Sequence, residues 1–325
     1  NAKADFDGIR DGDGISGDFL QSGVKGTFNL KRVTEKASLP QDAAAADGAK
    51  ISSVGKAEDI VLETPTGKIF GTLQLPETSA KCPVVLIIAG SGPTDRDGNS
   101  PLLPGKNDSL KMISLGLAEN GIASVRYDKR GIAESAGSMK NEADLRFDHY
   151  VDDVVTWVEC LKADPRFSGV AVLGVGRPAD ELIREQLANE AKEIRDESHA
   201  ITEELKKGNT VSNVSRGLAA LFRPSVQPYL ISWFKYDPAS EIAKLEVPVL
   251  IVQGTTDLQV PVRDARLLAE AKPDARLEII QGMNHILKEA PLEPQANVAT
   301  YSDPTLPLAP GFLEAIIDFL KKCFK

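Results

Sequence analysis

The spacing of apolar and polar residues changes character twice along the chain. Residues 3–34 show partial apolar/polar alternation in ADFDG, GISGDFLQ and VKGTFNLKRV, the two-residue period of half-buried strands. Asp-Gly within RDGDG separates the first two segments. It is the strongest short hairpin signal, because Gly tolerates positive φ. Three strands are too few for a free-standing sheet with its own core. Residues 1–35 therefore read as the C-terminal part of a small β-rich domain whose beginning lies elsewhere. Residues 36–56, KASLPQDAAAADGAKISSVGK, are small and polar with little periodicity, and read as a linker.

From residue 57 to 325 the pattern is that of a second domain. EDIVLETPTGKIFGTLQLP is a strand pair around Thr66-Gly67, and CPVVLIIAG (82–90) is a continuous apolar run ending at Gly. Such a run is expected of a strand buried on both faces. Helical periodicity over 107–120 leads to a second buried strand, IASVRYD (122–128). An amphipathic helix over 144–162 then leads to VAVLG (170–174). Farther on come VPVLIVQG (247–254), a helix over 262–271, ARLEIIQG (275–282) and a helix over 310–323. Alternating strands and helices predict an α/β domain with a mostly parallel sheet and helices on both faces. Residues 178–235 interrupt the alternation with a charged helical stretch and then an apolar, aromatic one. They read as an inserted helical cap, the kind of element that builds apolar pocket walls.

Composition narrows the function classes. Of 325 residues, 42% are hydrophobic and 26% charged, as in ordinary globular proteins. The net charge of −9 argues against nucleic acid and anionic membrane surfaces as partners. No apolar run reaches the ~18 residues of a membrane helix, and no signal peptide is visible. The first residue is Asn1 rather than Met, which suggests a processed or trimmed product. The three cysteines, Cys82, Cys160 and Cys323, are widely spaced in apolar surroundings. They read as core thiols rather than a disulfide framework or metal site.

Candidate chemistry sits where open α/β sheets put it, past the carboxyl ends of strands. VLIVQGTTDLQVPV places Asp257 after one strand, and IIQGMNHILKEAP places His285 after the next. An acid and then a histidine in this order is the back half of a Ser…Asp…His triad. The acid fixes the imidazole tautomer, and the imidazole takes the nucleophile's proton. His149, at a helix start, and His199, in the charged cap, read as structural or solvated. In IAGSGPTDRDGNSP the Ser91 amide, flanked by Gly90 and Gly92, suits an oxyanion-hole donor. Asp95, Asp97 and Asn99 resemble a calcium loop, but Ser100 stands where Gly is needed and Lys106 where Glu is needed, so no metal is expected. In SVRYDKRGIAES, Asp128 and Arg130 read either as braces for the loops near the nucleophile or as part of an ordinary surface turn. Phe222, Tyr229, Trp233 and Phe234 are candidates for a substrate pocket or for packing within the cap.

With these motifs on the page, residues 58–324 resemble an α/β-hydrolase of the bacterial serine esterase kind that carries a small N-terminal β domain. The segments bearing the resemblance are IIAGSGPTDRDGN, VRYDKRGIAES, GRPADELIREQL, VLIVQGTTDLQVPV and GMNHILK. The resemblance implies carboxylester hydrolysis through an acyl-enzyme, no cofactor, and small acyl or aryl esters as substrates. It also implies that Asp257 and His285 are two members of the triad, and that the protein resides in the periplasm or cell envelope, with the cytoplasm open.

The pattern departs at one decisive place. After VAVLG the family pattern has G-x-S-x-G, a helix and another strand, whereas here Gly174 runs directly into Val175-Gly176-Arg177. A strand-to-strand crossover takes at least ~10–12 residues. The chain is therefore about 25 residues short of the pattern, and no serine stands on a strand-to-helix elbow. Two origins stay open: a segment present in the parent protein, or a genuine deletion that leaves an inactive relative able to bind small molecules. Gly174, Gly176 and Ala179 also match G-x-G-x-x-A, a dinucleotide fingerprint. That fold needs a second strand with an acid at its end, and the helical stretch beyond offers none.

Overall fold

The computed structural model describes residues 4–11, 14–21 and 24–31 by their backbone, and residues 55–174 and 178–325 in full. The linker expectation falls almost wholly outside the described residues. So does the join at Val175–Arg177, with the middle of the G-x-G match. The chain divides into two compact units, Asn1–Ile51 with Ser215–Leu221 and Ser52–Val214 with Phe222–Lys325.

The first unit holds a three-stranded antiparallel sheet, β1 (Ala4–Asp11), β2 (Gly14–Gln21) and β3 (Val24–Lys31). Asp11 pairs with Gly14 and Gln21 with Val24. Two residues separate the paired strand ends in each case, the shortest spacing found between hairpin strands.

The second unit opens with the hairpin β4 (Ala57–Thr64) and β5 (Gly67–Gln74). Its sheet runs in the order β4-β5-β7-β6-β8. Here β6 is Cys82–Ile87, β7 is Ala123–Tyr127 and β8 is Phe167–Leu173. β6 lies parallel to both β7 and β8. The order follows from apolarity, since every residue of β7 is buried. Val84 and Leu86 on one face of β6, and Val85 and Ile87 on the other, are at most 1% exposed. Helix α1 (Ser109–Glu119) joins β6 to β7, and α2 (Phe147–Ala163) joins β7 to β8.

Five helices separate β8 from the next strand: α3 (Ala179–Gln186), α4 (Lys192–Lys206), α5 (Ala219–Phe222), α6 (Gln227–Trp233) and α7 (Pro238–Ala243). Then come β9 (Leu250–Gly254), α8 (Val262–Ala271), β10 (Arg276–Ile280), α9 (Pro294–Ala299) and α10 (Phe312–Cys323). β9 and β10 pair in parallel, but as a separate two-stranded sheet. On its side away from β6, β8 pairs with no strand among the described residues. β8 is only partly buried, with Val172 50% exposed, and β9 buries three of its five residues; each forms a sheet edge among the described residues. One apolar cluster still spans both sheets: Val85 and Ile87 of β6, Ile113 and Leu117 of α1, and Met283, Phe312, Ile316 and Leu320, with Leu173, Val252 and Ile280 against it.

The cysteine expectation is corrected as well. Cys82 is buried, but Cys160 and Cys323 are exposed, since both fall on outward positions of α2 and α10. No helix among the described residues is long and apolar enough to cross a membrane.

Candidate active site

Asp257 follows β9 and His285 follows β10, and the backbone stitches these two loops together. Thr255 N donates to Ile280 O at 3.0 Å, Thr256 N to Met283 O at 3.1 Å, and Gly282 N to the Thr255 hydroxyl at 2.9 Å. Gly254 is required at the junction, because a Cβ there would sit 1.9 Å from the Met283 carbonyl oxygen. The His285 loop is closed by Asn284, whose Oδ1 accepts from Lys288 N at 3.1 Å and whose Nδ2 donates to Thr300 Oγ1 at 2.8 Å. Lys288 is fully buried and donates to Asp303 O at 2.7 Å.

The loops bring Asp257 Oδ2 to 3.1 Å from His285 Nδ1. The remaining capacity of the carboxylate is used by its own loop. Oδ1 accepts from Gln259 N at 2.8 Å and Val260 N at 2.9 Å, and Gln253 Nε2 donates to Oδ2 at 3.2 Å. Burial alone would raise the Asp257 carboxyl. The hydrogen bond and charge of His285, with the Val260 and Gln259 amides, outweigh it and hold the group below its ordinary value. An ionised acceptor at Nδ1 selects the Nδ1–H tautomer, which leaves Nε2 as an acceptor. Nε2 has no partner among the described residues. A shielded carboxylate behind a histidine with one free basic nitrogen can take a proton from a hydroxyl or water and return it to a leaving group.

The loop after β6 carries Gly90, Ser91 and Gly92. Ser91 and Gly92 are exposed, and Gly92 holds φ at +77° with nothing within 4 Å of an added Cβ. Farther along the loop Asp95 Oδ1 accepts from Asp97 N and Asn99 N, Asp97 pairs with Arg126, and Asn99 Oδ1 accepts from Asn107 N and Asp108 N. Asp95 and Asn99 thus hold the loop's own backbone, and Asp97 ties it to Arg126 of β7. Asp128, 2% exposed, accepts from Arg96 N at 2.8 Å and Arg96 Nη2 at 2.6 Å, tying the loop to the end of β7. Arg130 points elsewhere. It clamps Asp153 of α2 with Nε–Oδ2 at 3.1 Å and Nη2–Oδ1 at 2.5 Å, and reaches Thr66 in the β4–β5 turn.

The cap aromatics divide by surroundings. Tyr229 and Trp233 on α6 join Phe147 and Tyr150 of α2 in one cluster, with Trp233 stacked on Phe147 at 5.7 Å and 8°. Phe222 is fully buried and Phe234 half-buried. The cluster's evident effect is to dock α6 on the start of α2, where Ser232 Oγ also accepts from Phe147 N at 2.7 Å. His149 Nδ1 accepts from Arg146 N at the start of α2, and His199 is exposed. α3 begins at Ala179, and among the described residues no strand follows it until β9.

Gln253, Arg96 and Lys129 carry no motif signature in the sequence, yet all three anchor this site. Lys129 sits beside the predicted Asp128 and donates to carbonyls of the 89–94 loop. Its presence in a buried apolar strand end was the available signal, because an unpaired lysine is rarely placed there without carbonyl partners.

Comparison with known proteins bears on this geometry. No family model matches the chain. Esterase EstD of Thermotoga maritima is 24% identical over 256 residues, covering 69% of this chain and 60% of that protein. The chain thus spans about 60% of the length of that curated relative. Among solved structures, Est1E from Butyrivibrio proteoclasticus with bound ferulic acid superposes with a TM-score of 0.51 at 17% identity, over 81% of this chain and 96% of that one. DcsB in complex with its substrate analogue superposes with a TM-score of 0.52 at 16% identity, over 83% and 99%. By fold this chain is an α/β-hydrolase, and in sequence it is similar to a bacterial esterase.

Proposed function

We propose that the chain is built for carboxylester hydrolysis through an acyl-enzyme, with His285 as general base and then acid, Asp257 as its orienter, and the Ser91 amide as one oxyanion donor beside Gly90 and Gly92. The observation carrying this reading is the 3.1 Å hydrogen bond between Asp257 and His285, which leaves Nε2 free. The nucleophilic serine belongs directly after Gly174, and this chain holds none between β8 and α3. Ser135, in Ala-Glu-Ser-Ala-Gly, is fully buried and accepts from Phe70 N at 2.9 Å, a structural role. The open edges of β8 and β9 support a lacking strand between them. A small-molecule ester is the proposed substrate, and no cofactor is required. Residence in the periplasm or cell envelope is proposed on the family resemblance alone.

The expected behaviour of this chain is hydrolysis of p-nitrophenyl acetate barely above buffer, because loss of a triad member leaves only binding and oxyanion stabilisation. Inserting a strand-elbow serine, helix and strand after Gly174 should raise the rate by roughly a thousandfold or more, and His285→Ala should abolish the gain. A full rate from the unaltered chain that disappears in Ser91→Ala would overturn the oxyanion assignment. The second reading, an inactive relative that binds small molecules, rests on the same missing serine. It predicts ester binding without turnover even after insertion. Calorimetric titration with NAD separates off the dinucleotide reading, for which tight binding is required.

A further inference from the structure

We infer that Lys129 is the positioning residue of the anion-binding loop: its ammonium grips the carbonyls of Ala89 and Gly90, and thereby turns the Gly90 and Ser91 amides away from itself, toward an acyl oxygen. The inference rests on the carboxylester reading above and adds a residue that no motif marks.

Lys129 is 6% exposed. Its Nζ donates to Gly90 O, and to Ala89 O and Thr94 O at 3.5 Å each. Within a trans peptide unit the C=O and the following N–H point in opposite directions. Holding the Ala89 carbonyl therefore directs the Gly90 N–H outward, and holding the Gly90 carbonyl directs the Ser91 N–H outward. Neither amide donates to an acceptor among the described residues. The loop leaves β6 beside the end of β8, where Ile88 N donates to Leu173 O at 2.9 Å. A Cβ on Gly174 would meet Ile88 Cδ1 at 3.6 Å. The two free amides thus belong to the loop next to the strand end where the nucleophile is expected.

Other side chains hold the far part of the loop, through Asp128 to Arg96 and Asp95 to the 97–99 amides. Within residues 89–94, Thr94 Oγ1 donates to Ser91 O at 3.3 Å, and Lys129 supplies the side-chain grip on the Ala89 and Gly90 carbonyls. No carboxylate among the described residues lies within ion-pairing distance of its ammonium. The charge instead polarises the peptide groups it holds, which strengthens their outward N–H donors. Burial pushes the ammonium down to about 8, against the opposing pull of Asp128 on its own element and Asp95 across the loop.

The test uses the full chain, labelled with 15N and 13C, and phenylphosphonate as a tetrahedral anion. Expected in the wild type are downfield shifts of the Gly90 and Ser91 amide protons on titration. Lys129→Met should bind about tenfold more weakly, with the Ala89 and Gly90 carbonyl signals displaced, and Lys129→Arg should restore both. A folded Lys129→Met variant with unmoved carbonyls and equal binding overturns the inference. If the wild type binds no anion at these amides, the oxyanion reading fails. The carbonyl signals of the free variants still decide the role of Lys129: displacement in Met with return in Arg supports it, and no displacement overturns it. Should the Met variant not fold, the wild-type Ala89 and Gly90 carbonyls are followed against pH. They should show one inflection near pH 8, and a flat profile from pH 7 to about 10 overturns the positioning role.

Discussion

The five-stranded sheet and the two-stranded sheet carry the two halves of the proposed site, and they are built to different standards. Every residue of β7 is buried, whereas no residue of β10 is. β6 has parallel partners on both sides, while β9 pairs with β10 alone among the described residues. A run as apolar as VAVLG or VLIVQG belongs to strands with neighbours on both edges and helices on both faces. Here β8 and β9 each end their sheet among the described residues. The loop after β6 is therefore fixed by the buried strands β6 and β7 and by the Arg96–Asp128 ion pair. The Asp257–His285 pair is fixed by loop-to-loop hydrogen bonds and by the apolar cluster beneath. Both halves of the proposed site keep local order.

This contrast can be broken or sharpened by substitution. The largest expected effect is Arg130→Ala, which strands the Asp153 carboxylate at 3% side-chain exposure. It should cost about 3–5 kcal/mol in urea unfolding, and a loss under about 1 kcal/mol would mean that the five-stranded half is not anchored there. Gly254→Val comes next, at about 3 kcal/mol. By driving β9 from Met283 it should also erase the low-field Nδ1 proton signal of His285, and a retained signal would count against the close approach as the organising contact. Third is a matched pair across the sheet. Ile87→Ala in β6 should cost about 2–4 kcal/mol, and Val172→Ala on the open edge of β8 no more than about 0.5 kcal/mol. Equal costs would show that β8 is as well enclosed as β6.

The smallest effect is on pH dependence. The folded-state carboxyl of Asp257 is depressed, so its contribution is fully present above the unfolded value of about 3.9 and is lost as pH falls through the lower folded value. Asp257→Asn should flatten the acid limb of stability against pH below about 4, and an unchanged limb would remove Asp257 from the charge balance of the site.

The elements were legible wherever one physical signal sufficed. The helix over 262–271 and the strand over 275–282 follow from periodicity and flanking turn residues, and the structure bounds them at Val262–Ala271 and Arg276–Ile280. Asp257 and His285 were legible because strand ends announce themselves by an apolar run followed by Gly. Solvent exposure was not. Cys160 and Cys323 have apolar neighbours in sequence, but helical periodicity turns both outward. Arg130 read as a brace for the nucleophile loops, yet its partner Asp153 lies 23 residues on, in α2, and nothing in the local sequence names that contact. Gln253 and Lys129 escaped notice because a hydrogen bond to a backbone carbonyl or to a carboxylate of the neighbouring loop leaves no motif.

Local chemistry in the sequence determined the alternation of strands and helices, the hairpin turns, and the acid and histidine past successive strands. It also set the expectation that the chain is short of residues after Gly174, because a crossover has a minimum length. Only the tertiary structure decided that the sheet divides between β8 and β9, that Gly254 lets two loops meet, and that a buried ammonium faces three carbonyls. These depend on which groups meet after the chain has collapsed. Backbone amides and carbonyls are identical along the sequence, and they become a site only when packing gives them a direction.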